Sequence, residues 1–329
     1  MGLDLLAYRY PDKEEIIQSG AFKSVEKNDS SKDGFIIGDF YGKNQYIFKP
    51  FDSEDIKEFK LHFANHEPNT ISKKDYLEYG AMLLRVMPSL AIEKLVYSRV
   101  KQVPFEHTKT AKLFQTLCKT YPKAFVYLVS SELFGTWVGA SPEILLESHE
   151  SHGFTMSLAG TRLKDSNEEW GIKEYEEQKF VTDFIVNQLN SNGILEIDSE
   201  GPYTSPAGNI EHLRTDLSFD VNAEQTLNLV SALHPTPATC GVPRKESLDL
   251  IESIELKDCR YDRDLYSGYI GEVSAKRTRL YVNLRCCQII NNKAFLYVGG
   301  GYTSESDPEK EWNETERKSE TLTRIFDLL

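Results

Sequence analysis

AFVYLVSSELFGTWVGASPEILLESHESHGFTMSLAGTRL, residues 124–163, is a chain of short apolar runs broken by tight polar turns. AFVYLVSS, LFGTWVGA, EILLES and FTMSLAGTRL are rich in aromatic and β-branched residues and too short for buried helices, so they read as successive strands. LVYSRV (95–100) precedes the block, and SGYIGEVS (267–274), RLYVNLRCCQII (279–290) and KAFLYVGGGY (293–302) follow it. FIIGDF (35–40) and QYIFKPF (45–51) are shorter pieces of the same kind. Helical spacing predicts helices over 76–90, about 170–190 and 308–329. In the second, Phe180, Phe184 and Leu189 would form the apolar side. Strands that arrive in runs, with helices between the runs, predict an α+β fold: large, mostly antiparallel sheets packed together with helices outside. No Pro/Ser/Gly-rich linker divides the chain, so one domain built around a cleft is expected over 1–329.

The 329 residues carry 38 Lys and Arg against 51 Asp and Glu, a net charge of −13. That balance disfavours nucleic acid and anionic membrane surfaces, which demand a positive footprint. An acidic protein can still take an anionic small molecule if a metal ion or local Arg/Lys reverses the sign at the site. No apolar run reaches the length of a membrane span, and the first residues do not read as a signal peptide. Five cysteines without CxxC spacing predict reduced thiols in a cytoplasmic protein. Cys286 and Cys287 are adjacent, so on a strand they would point to opposite faces.

Two glutamate pairs have i, i+3 spacing inside predicted helices: Glu174 with Glu177, and Glu311 with Glu314. Each pair puts two carboxylates on one helix face. Converging helices would build an all-oxygen site suited to Mg²⁺, although the same spacing suits a solvated acidic face. Gly299, Gly300 and Gly301 stand between a strand and the last helix, where bare backbone amides can approach an anion or simply make a turn. Lys94 opens an apolar stretch, either reaching solvent or buried as a base. Glu143 follows a Ser-Pro turn between two apolar strands, where a carboxyl group can keep its proton. His62 and His66 read as helix-surface residues. His234 and Cys240, in the Pro-rich loop LHPTPATCGVPR, are given a structural role.

In this order the segments resemble one family. KLVYSR (94–99), VGASPEILL (138–146), LAGTR (158–162), KEYEEQKFV (173–181), EHLRT (211–215), LHPTPATCGVPR (233–244), RDLYSGYIG (263–271), LRC (284–286) and GGGYTSESDPEKEWNET (299–315) are similar to motifs of the chorismate-utilising enzymes, the group of anthranilate synthase component I. Residues 76–329 bear the motifs, and 1–75 form a variable part. Within the group, Lys94 and Ala238 resemble the isochorismate synthase branch, which adds water without eliminating pyruvate. The branches that would compete are salicylate synthase and the amine-using anthranilate and aminodeoxychorismate synthases.

The resemblance implies roles. Lys94 would activate a water that attacks ring C2, and Glu143 would protonate the departing C4 hydroxyl. Glu177 and Glu314 would bind Mg²⁺, with Glu174 and Glu311 behind them. Arg285 and the amides of Gly299, Gly300 and Gly301 would hold the enolpyruvyl carboxylate. Gly160 and Thr161 would border the ring carboxylate, His212 the C4 hydroxyl, Ala238 the site floor, and Lys318 the metal side. The implied enzyme is a cytoplasmic monomer without a glutaminase partner, serving menaquinone or siderophore biosynthesis.

Overall fold

The computed structural model describes residues 3–25, 33–51, 60–164, 169–208, 210–274 and 276–329. Four strands come first: β1 (Asp4–Arg9), β2 (Ile16–Val25), β3 (Gly34–Gly38) and β4 (Gln45–Pro50). Helix α1 (Lys73–Val86) follows, opened by a Ser72 capping box, then β5 (Lys94–Pro104) and α2 (Thr110–Thr120). The block that opened the sequence analysis forms β6 (Phe125–Ser131), β7 (Gly135–Ser141), β8 (Ile144–His149) and β9 (His152–Leu163). After α3 (Ile172–Ser191) come β10 (Ile197–Ala207), β11 (Ile210–Asp220), α4 (Ala223–Leu233), β12 (Gly241–Val242) and α5 (Arg244–Ile251). Strands β13 (Tyr269–Val273), β14 (Arg277–Val282), β15 (Cys286–Ile290) and β16 (Lys293–Tyr302) lead to α6 (Pro308–Phe326).

All described strand pairs are antiparallel and join into one ladder, β10-β11-β9-β8-β14-β13-β3-β4-β2-β1-β6-β7-β15-β16-β5-β12. The α+β expectation holds. The expected separate sheets are two halves of one ladder, which folds so that its halves face each other. Tyr281 of β14 stacks on Phe125 of β6 with ring centroids 4.7 Å apart, and Phe35 of β3 lies 4.8 Å from Tyr8 of β1. Stacked and tilted aromatic rings dominate this inner core. The outer faces are covered by helices. Val181, Ile185 and Leu189 of α3 pack with Leu229 and Leu233 of α4 on one half. Leu113 and Leu117 of α2 pack with Leu322 and Ile325 of α6 on the other.

Several expectations shift in detail. The buried stripe of α3 is Gln178, Val181, Ile185 and Leu189, and Phe180 and Phe184 are only half-buried at its edge. His62 and His66 lie outside any helix; the His62 backbone amide donates to Ser130 Oγ. Cys286 and Cys287 do point oppositely, into the inner core and the α2/α6 layer respectively, and all five cysteines are free and buried. No described helix is long and apolar enough to cross a membrane.

Candidate active site

Four elements deliver the candidate residues to one place. Strand β5 begins at Lys94, whose side chain is completely buried, beside the glycine run of β16. The β7–β8 turn supplies Glu143, 2 % exposed. Helices α3 and α6 supply Glu177 and Glu311, Glu314 and Lys318. Helix α6 starts cleanly because Pro308 occupies its first turn and Asp307 accepts from Lys310 N at 2.9 Å. Glu143, Gly160, Thr161, Glu177, His212, Ala238, Arg285, Gly299, Glu314 and Lys318 line a common, narrow cavity of about 60 Å³. A larger surface cavity, about 870 Å³, lies elsewhere, along β8 and β9, and none of these residues lines it.

Three of the helical acids, Glu177, Glu311 and Glu314, each meet a lysine. Lys94 Nζ lies 3.0 Å from Glu177 Oε1, Lys173 Nζ 2.5 Å from Glu311 Oε1, and Lys318 Nζ 2.6 Å from Glu314 Oε1. Lys318 also donates to Gly299 O at 2.8 Å. Burial opposes ionisation of Glu314, but Lys318, with Lys173 and Arg317, outweighs it and holds this carboxyl below the usual range. Glu311 is pushed the other way by burial and by the charge of Glu314. Sequence reading did not single out Lys173. Its only signal was its position directly before Glu174.

Glu143 sits where charge is costly. Burial pushes its carboxyl up to about 8, although Lys94, Lys318 and Arg285 all pull it down. It therefore keeps its proton at neutral pH. His212 is driven the opposite way, to about 3, first by burial and then by the Arg285 guanidinium. The ring is neutral and its tautomer follows from its partners: Nδ1 donates to Gly160 O at 2.7 Å, and Nε2 accepts from Arg285 Nη2 at 3.0 Å. Burial lowers Arg285 to about 10, which still leaves it charged. Arg285 adopts φ +50°, as the link between β14 and β15 turns the guanidinium to the cavity.

The glycines do something other than expected. Gly299, Gly300 and Gly301 do not form a turn between strand and helix. They lie inside β16, paired with Ser98, Tyr97 and Val96 of β5. Gly300 and Gly301 are small because acids lie over them. A Cβ on Gly300 would stand 2.9 Å from Glu311 Oε2, and one on Gly301 would collide with Glu177 Oε1. Of the three, only Gly299 lines the cavity, facing Tyr266 Oη. Gly160, at φ +68°, packs against the stem of Glu174. Glu174 itself accepts from Gly171 N at 2.9 Å, capping α3, and does not line the cavity.

Among the described residues no three His, Cys, Asp or Glu side chains form a ready-made metal cage. The donor set nevertheless fits Mg²⁺, which takes one or two carboxylates and keeps several waters. Glu177 and Glu314 line the same cavity, and buried Glu311 Oε2 has no hydrogen-bond partner. Lys94 Nζ is likewise buried without a hydrogen bond, since its contact with Glu177 is ionic only. The site can therefore hold a divalent cation beside one amine, one protonated carboxyl group and one guanidinium.

Comparison with known proteins bears on the family and the fold. Isochorismate synthase EntC of Escherichia coli K12 is 27% identical over 250 residues, 72% of this chain and 63% of the relative. Anthranilate synthase component 1 of Saccharolobus solfataricus is 24% identical over 284 residues, 82% of this chain and 65% of the relative. The chain thus spans less than two thirds of the length of these relatives. DhbC of Bacillus anthracis superposes with TM-score 0.81 at 23% identity, covering 99% of this chain and 96% of that one. MenF of Escherichia coli, the menaquinone-specific isochorismate synthase, gives 0.80 at 18%, covering 99% and 89%. The chorismate binding enzyme profile matches residues 43–327. With the profile across most of the sequence and the same fold in both solved relatives, the chain belongs to the chorismate binding enzyme family.

Proposed function

We propose that this chain is a Mg²⁺-dependent isochorismate synthase, an isomerase that moves a hydroxyl group from C4 of chorismate to C2. The observation that carries this reading is one cavity lined by buried, protonated Glu143 together with Glu177 and Glu314, with buried Lys94 3.0 Å from Glu177. The names of relatives such as EntC and MenF support the same branch.

The geometry supports the following roles. Lys94, in its amine form, takes a proton from a water whose oxygen bonds to C2. The ring double bonds shift, and the C4–O bond breaks as Glu143 gives its proton to the leaving hydroxyl. One water enters and one leaves, so atoms balance. Each positioned acid or base is worth about 10²–10⁴-fold. Arg285 binds the enolpyruvyl carboxylate, and neutral His212 orients the guanidinium without adding charge. Thr161 and Gly160 border the ring carboxylate, Ala238 shapes the floor, and Lys318 holds Glu314 ionised. Glu177 and Glu314 would hold Mg²⁺, with Glu311 supporting; the ion supplies positive charge for the ring carboxylate. Lys318, Arg285 and the cation reconcile an anionic substrate with a chain of −13.

The whole chain, 1–329, acts as one catalytic unit in this reading, a cytoplasmic monomer that needs no glutaminase. Its product is of the kind that menaquinone and siderophore biosynthesis draw on. Chromatography of the products formed from chorismate and Mg²⁺ tests the assignment. Isochorismate without pyruvate is expected. Salicylate with pyruvate, or a requirement for ammonia, would move the chain to another branch.

A further inference from the structure

Beside the buried site lies an open cavity of about 550 Å³ between the start of β6, the β10–β11 turn and the end of α6. Arg285 and Pro142 line both this cavity and the buried one. The buried cavity offers about 60 Å³, whereas small-molecule pockets hold about 300–1,000 Å³. A ring bearing two carboxylates enters only if a wall yields. Arg285 and Pro142 form the wall that both cavities share.

The outer cavity has the chemistry of such a substrate. Tyr121, Pro122, Ile325 and Leu328 give it apolar sides, and Lys123, Lys164 and Arg324 join Arg285 as cations. No carboxylate side chain is among its described lining residues, in a protein with a net charge of −13. Lys123 and Arg324 hold acids only at the outer surface, Asp12 at 2.6 Å and Glu320 at 2.5 Å. The cavity is also a built feature. Tyr121 donates to Thr321 O at 2.9 Å, tying the α2–β6 turn to α6. Gly208, at φ +70°, sets the β10–β11 turn on the Tyr121 ring, where a Cβ would stand 3.1 Å from Cε1.

We propose that this outer cavity is a capture subsite and entry passage for an amphipathic dicarboxylate, which is handed from Lys164 and Arg324 to Arg285. The inference rests on the chorismate reading and adds where that substrate is first held. Distant approach to an acidic protein is repulsive, so a local cationic mouth sets the rate of productive encounter.

Stopped-flow binding of chorismate to the full chain in Mg²⁺ tests it, in a Glu143→Gln background whose turnover is slowed about 10²-fold or more. The Lys164→Glu/Arg324→Glu double variant should lower the association rate about tenfold at low salt and flatten its salt dependence, with dissociation changed less than about threefold. Ala207→Trp, which narrows the passage, should slow association and dissociation together and leave the dissociation constant unchanged. An association rate in the double variant equal to the parent's would overturn the proposal, and so would an Ala207→Trp effect confined to affinity. Failure of Ala207→Trp to fold leaves the charge variants to decide. If the Glu143→Gln parent and the unsubstituted chain both fail to bind chorismate, the chorismate reading itself falls, and the passage with it.

Discussion

His212 and Arg285 meet at 3.0 Å, Nε2 accepting from Nη2, while the other ring nitrogen is fixed on Gly160 O. A neutral imidazole thus aims a charged guanidinium. His212→Asn, which retains a donor and an acceptor, should keep more activity than His212→Ala. The alanine variant should raise KM about tenfold or more, as a charged hydrogen-bonded partner is lost. Because the His212 ring is already neutral above about pH 3, its removal should not shift the pH profile. Steady-state kinetics across pH 5–9 check both statements, and a shifted acidic limb in either variant would contradict them.

Glu143 predicts a loss of activity in base. As an acid it must be protonated, so kcat/KM should fall as pH rises through about 8. Glu143→Gln should cut kcat by about 10²-fold or more. Stability should also fall with rising pH, but over a lower range. The folded carboxyl holds its proton above the usual 4.5, so the wild type loses stability as pH climbs from 4.5 towards about 8. The glutamine variant escapes that loss, and its Tm advantage over wild type should grow between pH 5 and 8. A constant Tm difference across that range would refute the buried, protonated carboxyl.

Gly301 lies under both Glu177 Oε1 and Lys94 Cε. The nearest atom is the end of a flexible side chain, so Gly301→Ala should displace the carboxylate and leave the fold intact. The Mg²⁺ concentration for half-maximal activity should rise about tenfold or more, and the Tm should stay near wild type. Glu314→Ala should go further and abolish Mg²⁺ binding measured by calorimetry. A Gly301→Ala variant with normal Mg²⁺ response would contradict the contact.

Glu255 and Arg263 form a fully buried pair at 2.6 Å beneath the site. Arg263 also donates to Thr239 O and Val96 O, and Glu255 accepts from Ser98 N and Oγ, tying the Ala238 loop to the Lys94 strand. Glu255→Ala leaves a buried guanidinium without its counter-ion, which should destabilise the fold by about 3–5 kcal/mol. Urea unfolding measures it. A loss below about 1 kcal/mol would mean that water or another acid replaces the pair.

The strands of 124–163 were legible because buried β-runs are apolar and end sharply, and the structure keeps all of them. Other features were hidden for physical reasons. In α3 the large Phe180 and Phe184 suggested the wrong stripe; burial is decided by the helix rotation that seats Val181, Ile185 and Leu189. The glycine run looked like a turn because glycine serves turns and close approaches alike, and only the overlying acids reveal which. Residues 1–75 carry no motif, yet β1 to β4 occupy the middle of the ladder, where shape rather than chemistry is required. The motifs brought Glu143, Glu177, His212, Arg285 and Glu314 to notice. The lysines held by Glu177 and Glu311 are tertiary relations that no local pattern records.

A turnover in H₂¹⁸O tests most directly whether water is exchanged between Lys94 and Glu143. Mass spectrometry of isochorismate formed from unlabelled chorismate should find one ¹⁸O, located on C2, and the Lys94→Gln variant should form product about 10²-fold more slowly. Isochorismate that retains the original ¹⁶O would mean the hydroxyl moves without leaving the substrate, and the division of labour between these two residues would be wrong.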